Sequence, residues 1–369
     1  MLIEERFGDK VFENCKICPR SCGVNRIAGE KGYCGQGAKL TAARAYLHAW
    51  EEPCISGEHG SGTVFFSGCN MRCVFCQNAE IASGDVKKEI STERLSEIFL
   101  ELQEKKASNI NLVTPTHFVP LIIPAIEGAR QQGLRIPIVY NTSAYENVET
   151  LKALEGLVDI YLPDCKYYSD ELAVRYSKAP GYFKVSMDAI GEMIRQVGEP
   201  IFVESVHKRP SFGRENSLGI IIGDYARPES DGERTIYHNC REDDYTDRIL
   251  TADMYNDLMS EAEDDYAGPL MKKGVIVRHL MLPGQLEDSK KVVEEVVRTF
   301  GDKVYLSIMN QFTPHGDLSG FPELLAPVDP DDYEALIDYA IDLGLENGFF
   351  QGEGTDSESF IPKFDFEGI

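Results

Sequence analysis

Long apolar runs are missing from this chain: none of its 369 residues falls in a stretch approaching the ~18 to 20 apolar residues that cross a bilayer. The start, Met1-Leu-Ile-Glu-Glu-Arg6, is charged and lacks the apolar core of a signal peptide. A cytoplasmic protein without membrane attachment is the expectation. Positive charge is scarce as well, with 37 Lys and Arg against 61 Asp and Glu, a formal net charge of −24 with His neutral. Nucleic acids and anionic membranes are disfavoured as partners, because neither would meet a basic field. Cysteine all but disappears after residue 76, where only Cys165 and Cys240 remain. These two and the isolated Cys54 read as small buried hydrophobes. The length and an apolar content of 43% allow one large domain or two smaller ones.

The other cysteines are crowded. Thiols in a reducing compartment do not persist as disulfides, so clustered ones point to metal or redox chemistry. The tighter group is Gly68-Cys69-Asn-Met-Arg-Cys73-Val-Phe-Cys76-Gln-Asn78, a C-x3-C-x2-C spacing directly after the short strand-like run Thr63-Val-Phe-Phe-Ser67. Three thiolates on so short a loop can hold three corners of a [4Fe-4S] cluster and leave one iron open to a chelating ligand. The spacing alone also allows a zinc loop completed from elsewhere, or three buried thiols. Four earlier cysteines, Cys15, Cys18, Cys22 and Cys34, have the spacing C-x2-C-x3-C-x11-C. They suit a structural zinc or a second cluster, with free buried thiols as the alternative.

Beyond the cysteine loop, strand-like and helix-like segments alternate. A helix capped by Ser91 presents Leu95, Ile98, Phe99 and Leu102 on one face, followed by a strand at Asn109–Val113 and a helix over 117–132 ended by Gly133. Further strands fall at 136–140, 158–162, 275–280 and 303–309, with helices near 147–155, 285–300 and 331–343. About six β-α units imply an α/β fold with a parallel sheet, too few for the eight-stranded closed barrel. The expected division is a Cys-rich segment over 1–60 and a barrel over 61–369. Between about 204 and 268 the pattern fails, and Asp224–Asp265 carries 14 acidic residues against four arginines. That stretch reads as an acidic insertion with some helix near 251–263, either a solvated loop or a docking surface.

Active sites of parallel β/α folds form at the C-terminal strand ends. This chain places a polar group after nearly every strand: the cysteine loop, Thr114-Pro115-Thr116-His117, Asn141-Thr142-Ser143, Asp164-Cys165-Lys166, Arg278-His279 with Pro283-Gly284 beyond, and Asn310-Gln311. Six such groups in phase suggest one common rim.

The cysteine motif resembles that of the radical S-adenosylmethionine (SAM) superfamily, C-x3-C-x-aromatic-C, with Phe75 as the aromatic. More narrowly, residues 10–203 and 268–369 are similar to pyruvate formate-lyase activating enzyme-like proteins. The resemblance implies a partial, open (β/α)6 TIM-like barrel, a [4Fe-4S] cluster on Cys69, Cys73 and Cys76, and SAM chelated to the open iron. It places Phe75, Asn78, Thr114, Pro115, Asn141 and Ser143 near SAM, has Asp164 and Lys166 contact it as a D-x-K pair, and adds Arg278 and His279 from the fifth strand. Thr114-Pro115-Thr116-His117 stands where many members carry a glycine-rich turn, which leaves the contact to the SAM amino group unassigned. The implied reaction is reductive cleavage of SAM to a 5′-deoxyadenosyl radical that abstracts hydrogen. An external electron donor would drive it. The substrate is either a glycyl-radical enzyme or a small molecule. The reading from a different class is a zinc or iron–sulfur protein that carries electrons or metal without SAM chemistry.

Overall fold

The computed structural model describes residue 7 and residues 10–207, 245–260, 268–351 and 364–369. After the N-terminal cysteine segment the chain forms β1 (Thr41–His48), a one-turn helix α1 (Pro53–Ser56), β2 (Ser61–Phe66), α2 (Ala79–Ala82) and the short β3 (Lys88–Glu89). Next come α3 (Thr92–Glu104), β4 (Ile110–Val113), α4 (Val119–Gln131), β5 (Ile138–Thr142), α5 (Val148–Lys152), β6 (Ile160–Pro163), α6 (Asp170–Ser177) and α7 (Tyr182–Val197). The remainder is β7 (Ile201–His207), β8 (Tyr245–Thr251), α8 (Ala252–Ser260), β9 (Leu270–Leu280), α9 (Leu286–Phe300), β10 (Tyr305–Met309), α10 (Pro330–Asp342) and β11 (Gly348–Phe350).

The main sheet runs β11-β10-β9-β6-β5-β4-β2-β1-β3. Every pairing from β2 to β11 is parallel, while β1 is antiparallel to β2. No pairing among the described residues joins β11 to the β1–β3 edge, so the α/β barrel is open, as its six expected units foretold. A seventh parallel strand, the three-residue β11, extends the count. Its brevity hides it from any periodicity argument.

Local sequence explains the helices. Ser91 caps α3 by accepting a hydrogen bond from the Arg94 N–H at 3.1 Å, and Leu95, Ile98, Phe99 and Leu102 are all buried. The expected helix over 117–132 begins as a 3-10 turn at Thr116–Phe118 before α4 takes over. Pro124 lies inside α4 without ending it.

The described ends of the expected insertion are not loop. β7 and β8 pair antiparallel over seven residues, and β7 also pairs antiparallel with β9. The helix expected near 251–263 is present as α8. Residues 208–244 and 261–267, with Cys240 and most of the acidic charge, lie outside the described residues. No helix among the described residues is long and apolar enough to cross a membrane.

Strand alternation sorts the side chains into two layers. On one face of the sheet, Tyr140, Tyr161, Val275 and Val277 pack with the helices in the main core. On the other, Val139, Ile160, Leu162, Ile276 and Tyr305 form the barrel's interior base, closed by Cys54 and Ile55 of α1 and by Phe202 and Leu250. Above that plug the interior turns polar.

Candidate active site

A cavity of about 400 Å³ occupies the upper barrel. Its lining includes Cys69, Cys73, Cys76, Phe75, Asn78, Thr114, Asn141, Ser143, Asp164, Lys166, Arg278 and Gln311. The rim expected from the sequence is therefore one site, built from the ends of β2, β4, β5, β6, β9 and β10. Pro115, His117, His279 and Asn310 are not among the lining residues.

The three thiols share one wall. Gly68, at φ +87°, turns the chain out of β2 into the loop. A Cβ there would lie 2.6 Å from the Cys34 carbonyl oxygen, so the turn also lets the N-terminal segment press against the loop. Arg20 Nε donates to the Asn70 carbonyl at 2.7 Å, and Arg72 donates to the Tyr33 carbonyl from the other side. The Met71 N–H points at Cys69 Sγ (3.4 Å), and the Ser177 hydroxyl lies 3.0 Å from Cys73 Sγ. His315 Nε2 sits 2.7 Å from the Cys76 carbonyl oxygen. Burial is the largest influence on each thiol and pushes its pKa up, to about 11 for Cys69. Such thiols stay protonated until a soft metal takes the sulfur. Lys166 favours thiolate at Cys73.

Opposite the cysteines is a charge network centred on Arg278. Its Nε donates to Asp164 Oδ1 (3.0 Å), Nη1 to Glu51 Oε2 (3.0 Å) and Nη2 to Asn141 Oδ1 (2.6 Å). Lys166 Nζ donates to Asp164 Oδ2 at 2.8 Å. Burial alone would raise the Asp164 pKa, but Lys166 and Arg278 together hold it below the usual carboxylate range. Burial would lower Lys166, yet Asp164 and the neighbouring Cys73 hold it up. The D-x-K pair is thus a fixed ion pair with its ammonium next to a candidate cluster ligand.

Sequence reasoning missed Glu51 and Glu52. They stand between β1 and α1, outside any strand end, and reach into the barrel from its base. Glu51 accepts from Asn111 Nδ2 (2.9 Å) and Asn141 Nδ2 (3.4 Å) as well as from Arg278. The edge of the cavity toward β11 carries Trp50, Phe349, Phe350 and Gln351, also unforeseen.

His279 faces away from the cavity. Its neighbour Arg278 points inward, so strand alternation turns the imidazole outward, where it is 1% exposed and Nδ1 sits 2.7 Å from the Cys165 carbonyl oxygen. Burial lowers its pKa to about 4. His117 is a buried structural residue with Nε2 2.8 Å from the Ser67 carbonyl oxygen, and burial lowers it to about 3. Thr114, at φ +57°, holds a left-handed conformation that β-branched residues rarely adopt, at the point where the chain leaves β4 for the cavity.

Cys18 and Cys34 are buried, Cys15 is half-buried and Cys22 exposed. Cys54 and Cys165 are buried, as expected for lone cysteines. No three His, Cys, Asp or Glu side chains among the described residues converge closely enough to hold a single metal ion.

These features coincide with a recognised sequence signature. Residues 63–203, from within β2 to the first residues of β7, match the Radical SAM superfamily. The radical SAM match implies a [4Fe-4S] cluster and SAM, and the cysteine loop lies at its start. An uncharacterized protein of Methanocaldococcus jannaschii, MJ0674, is 33% identical over 183 residues, which cover 47% of this chain and 52% of that protein. The chain thus spans about half the length of this curated relative. Among solved structures, Streptococcus suis SuiB bound to S-adenosylmethionine aligns with 78% of this chain and 48% of its own, at a TM-score of 0.40 and 12% identity. HydG, the [FeFe]-hydrogenase maturase from Carboxydothermus hydrogenoformans, aligns with 81% of this chain and 56% of its own, at a TM-score of 0.41 and 10% identity.

Proposed function

We propose that this protein is a radical SAM enzyme that cleaves SAM reductively and removes hydrogen from a substrate held in the open barrel. The carrying observation is that Cys69, Cys73 and Cys76 face the same cavity as Asp164, Lys166 and Arg278. The donor set fits the cofactor: three soft sulfurs on one loop leave one iron of a [4Fe-4S] cluster without a protein ligand. When bound, the cluster supplies the electron that breaks a C–S bond of SAM, and the carbon radical so released takes the substrate hydrogen.

The chain's own residues have defined tasks in this reading. Lys166, fixed by Asp164, offers a cation for the SAM carboxylate. Asn141 and Ser143 offer polar groups for the carboxylate or ribose, Thr114 lies toward the amino end, and Phe75 and Asn78 bound the pocket from the cysteine loop. Pro115 supports the Thr114 turn from behind: its carbonyl accepts from the Phe118 N–H at 2.9 Å. Arg278 holds Asp164 in place, and His279 braces the segment just after β6 through the Cys165 carbonyl. A passive electron carrier does not require this polar wall. The four N-terminal cysteines, which do not converge on one metal position here, are proposed to draw together around zinc or an iron–sulfur cluster and so stiffen the segment pressed on the loop.

Of the two substrate readings, a glycyl-radical enzyme is favoured by the resemblance to activating enzymes and a small molecule by the enclosed floor of the cavity. The decisive test is 5′-deoxyadenosine release by anaerobically reconstituted protein given SAM and dithionite. Wild type should release it and Cys73→Ala should not. Equal release from the two would sink the proposal.

A further inference from the structure

The cavity has a second end. Its floor, at the level where Arg278, Ser307 and Phe349 stand side by side on β9, β10 and β11, receives Glu51 and Glu52 from the β1–α1 connection. Glu51 is fully engaged by Arg278 and two asparagines. Glu52 is not: it is only 8% exposed and hydrogen-bonds the Ser307 side chain, yet its Oε2 has no partner among the described residues. A buried carboxylate oxygen left without a donor is costly unless something else supplies one. The charges that line the cavity say what. When all are ionised, Glu51, Glu52 and Asp164 outnumber Lys166 and Arg278 by one; burial pushes the pKa of both glutamates up, and both cations are already tied to Asp164, with Arg278 also on Glu51. His48, the other basic group on the wall, has its pKa lowered to about 4 by burial and does not redress the balance.

We propose that the floor of the cavity is a substrate subsite for a cationic nitrogen, an amine carried on an apolar or aromatic body, with the Glu52 carboxylate as its acceptor once Oε2 turns from its buried position to the cavity, which Trp50, Phe349 and Phe350 also line. A primary ammonium brings both what Oε2 lacks, an N–H donor, and the missing positive charge, and the flanking rings suit its apolar remainder. A carboxylate of the same shape would meet Glu51 and Glu52 and be rejected. The inference rests on the proposed radical SAM function only in that it calls the occupant a substrate.

Its test is binding to the full chain, read by calorimetry, with three probes of one shape: tryptamine, indole-3-propionate and tryptophol. Tryptamine should bind at least ~tenfold more tightly than either of the others, and Glu52→Gln should remove that preference, since the amide keeps the shape and loses the charge. Glu52→Asp should restore part of it, which a merely structural role for Glu52 would not predict. Circular dichroism checks that both variants are folded. Equal binding of the three probes, or an amine preference that survives Glu52→Gln in folded protein, overturns the subsite. Measured alongside, SAM binding separates the two proposals: SAM affinity lowered as much as tryptamine affinity would make Glu52 a SAM contact and overturn the subsite. Loss of 5′-deoxyadenosine release by wild type with tryptamine binding intact would count against the radical reaction alone.

Discussion

Arg278 shows how much one side chain can organise. Three acceptors on three different chain segments converge on its guanidinium, a planar fork that lysine cannot imitate. Replacing it with methionine should leave Glu51 a buried carboxylate without its cation and Asp164 with Lys166 alone, and urea unfolding should show a loss of roughly 3 to 5 kcal/mol. Arg278→Lys should recover only part of this. A second residue-scale prediction concerns Glu146. Its Oε1 accepts from Thr116 and Thr142 at 2.5 Å each, but burial outweighs these bonds and raises the carboxyl to about 7. A carboxyl whose pKa is higher in the fold than in the unfolded chain binds protons on folding. Its neutral form is then the stable partner of the fold, and stability drops as pH climbs from about 4.5 to 7, by roughly 3 kcal/mol in all. Glu146→Gln should flatten that part of the pH–stability profile. A profile as steep as the wild type's would place the titration elsewhere.

At the scale of elements, the decisive contact is the N-terminal segment against the cysteine loop. Gly68→Ala would drive a methyl group into the Cys34 carbonyl and Gln36 side chain from a backbone already at φ +87°. Iron per chain after reconstitution should fall well below wild type, and the melting temperature with it. Gly133→Ala, at φ +105° but with nothing within 4 Å of the added carbon, serves as the control and should keep its iron. Elements also decide what could be read from the sequence. The cysteine loop and the strand-end residues were legible because each belongs to a local pattern: a spacing, a strand, a cap. Glu51 and Glu52 were not, because they sit in an irregular connection and meet distant partners, Glu51 with Arg278 227 positions along the chain and Glu52 with Ser307. The strand pairing of β7 with β8 was hidden for the same reason: its partners are separated by the acidic stretch. His279 is a different case. The alternation that turns Arg278 inward also turns the imidazole outward, so its absence from the lining was readable in advance.

At the scale of the whole molecule, a segment distant in sequence covers the first strand. Residues 364–369 lie along β1, where the Ala45 N–H donates to the Glu367 carbonyl (2.8 Å) and the Phe366 N–H to that of Ala43 (3.1 Å). The Phe364 ring stands 5.5 Å from that of Phe65, one of the cavity's walls. Removing residues 364–369 should therefore lower the melting temperature and loosen the open edge of the barrel, seen as faster amide exchange over β1 and β2. Unchanged exchange there would show that β1 is held by the sheet alone.

This closure also sets an order of events during synthesis. The cysteines of the loop leave the ribosome early, but the His315 ring that lies against the Cys76 carbonyl follows 239 residues later. At ~5 to 20 residues per second, that is roughly ten to fifty seconds in which the thiols stand without the far wall of their pocket. A nascent chain would meet oxidants with its most sensitive atoms uncovered, and iron delivered then would find only half a cradle. Loading is safer later, when residues 364–369 have locked onto β1.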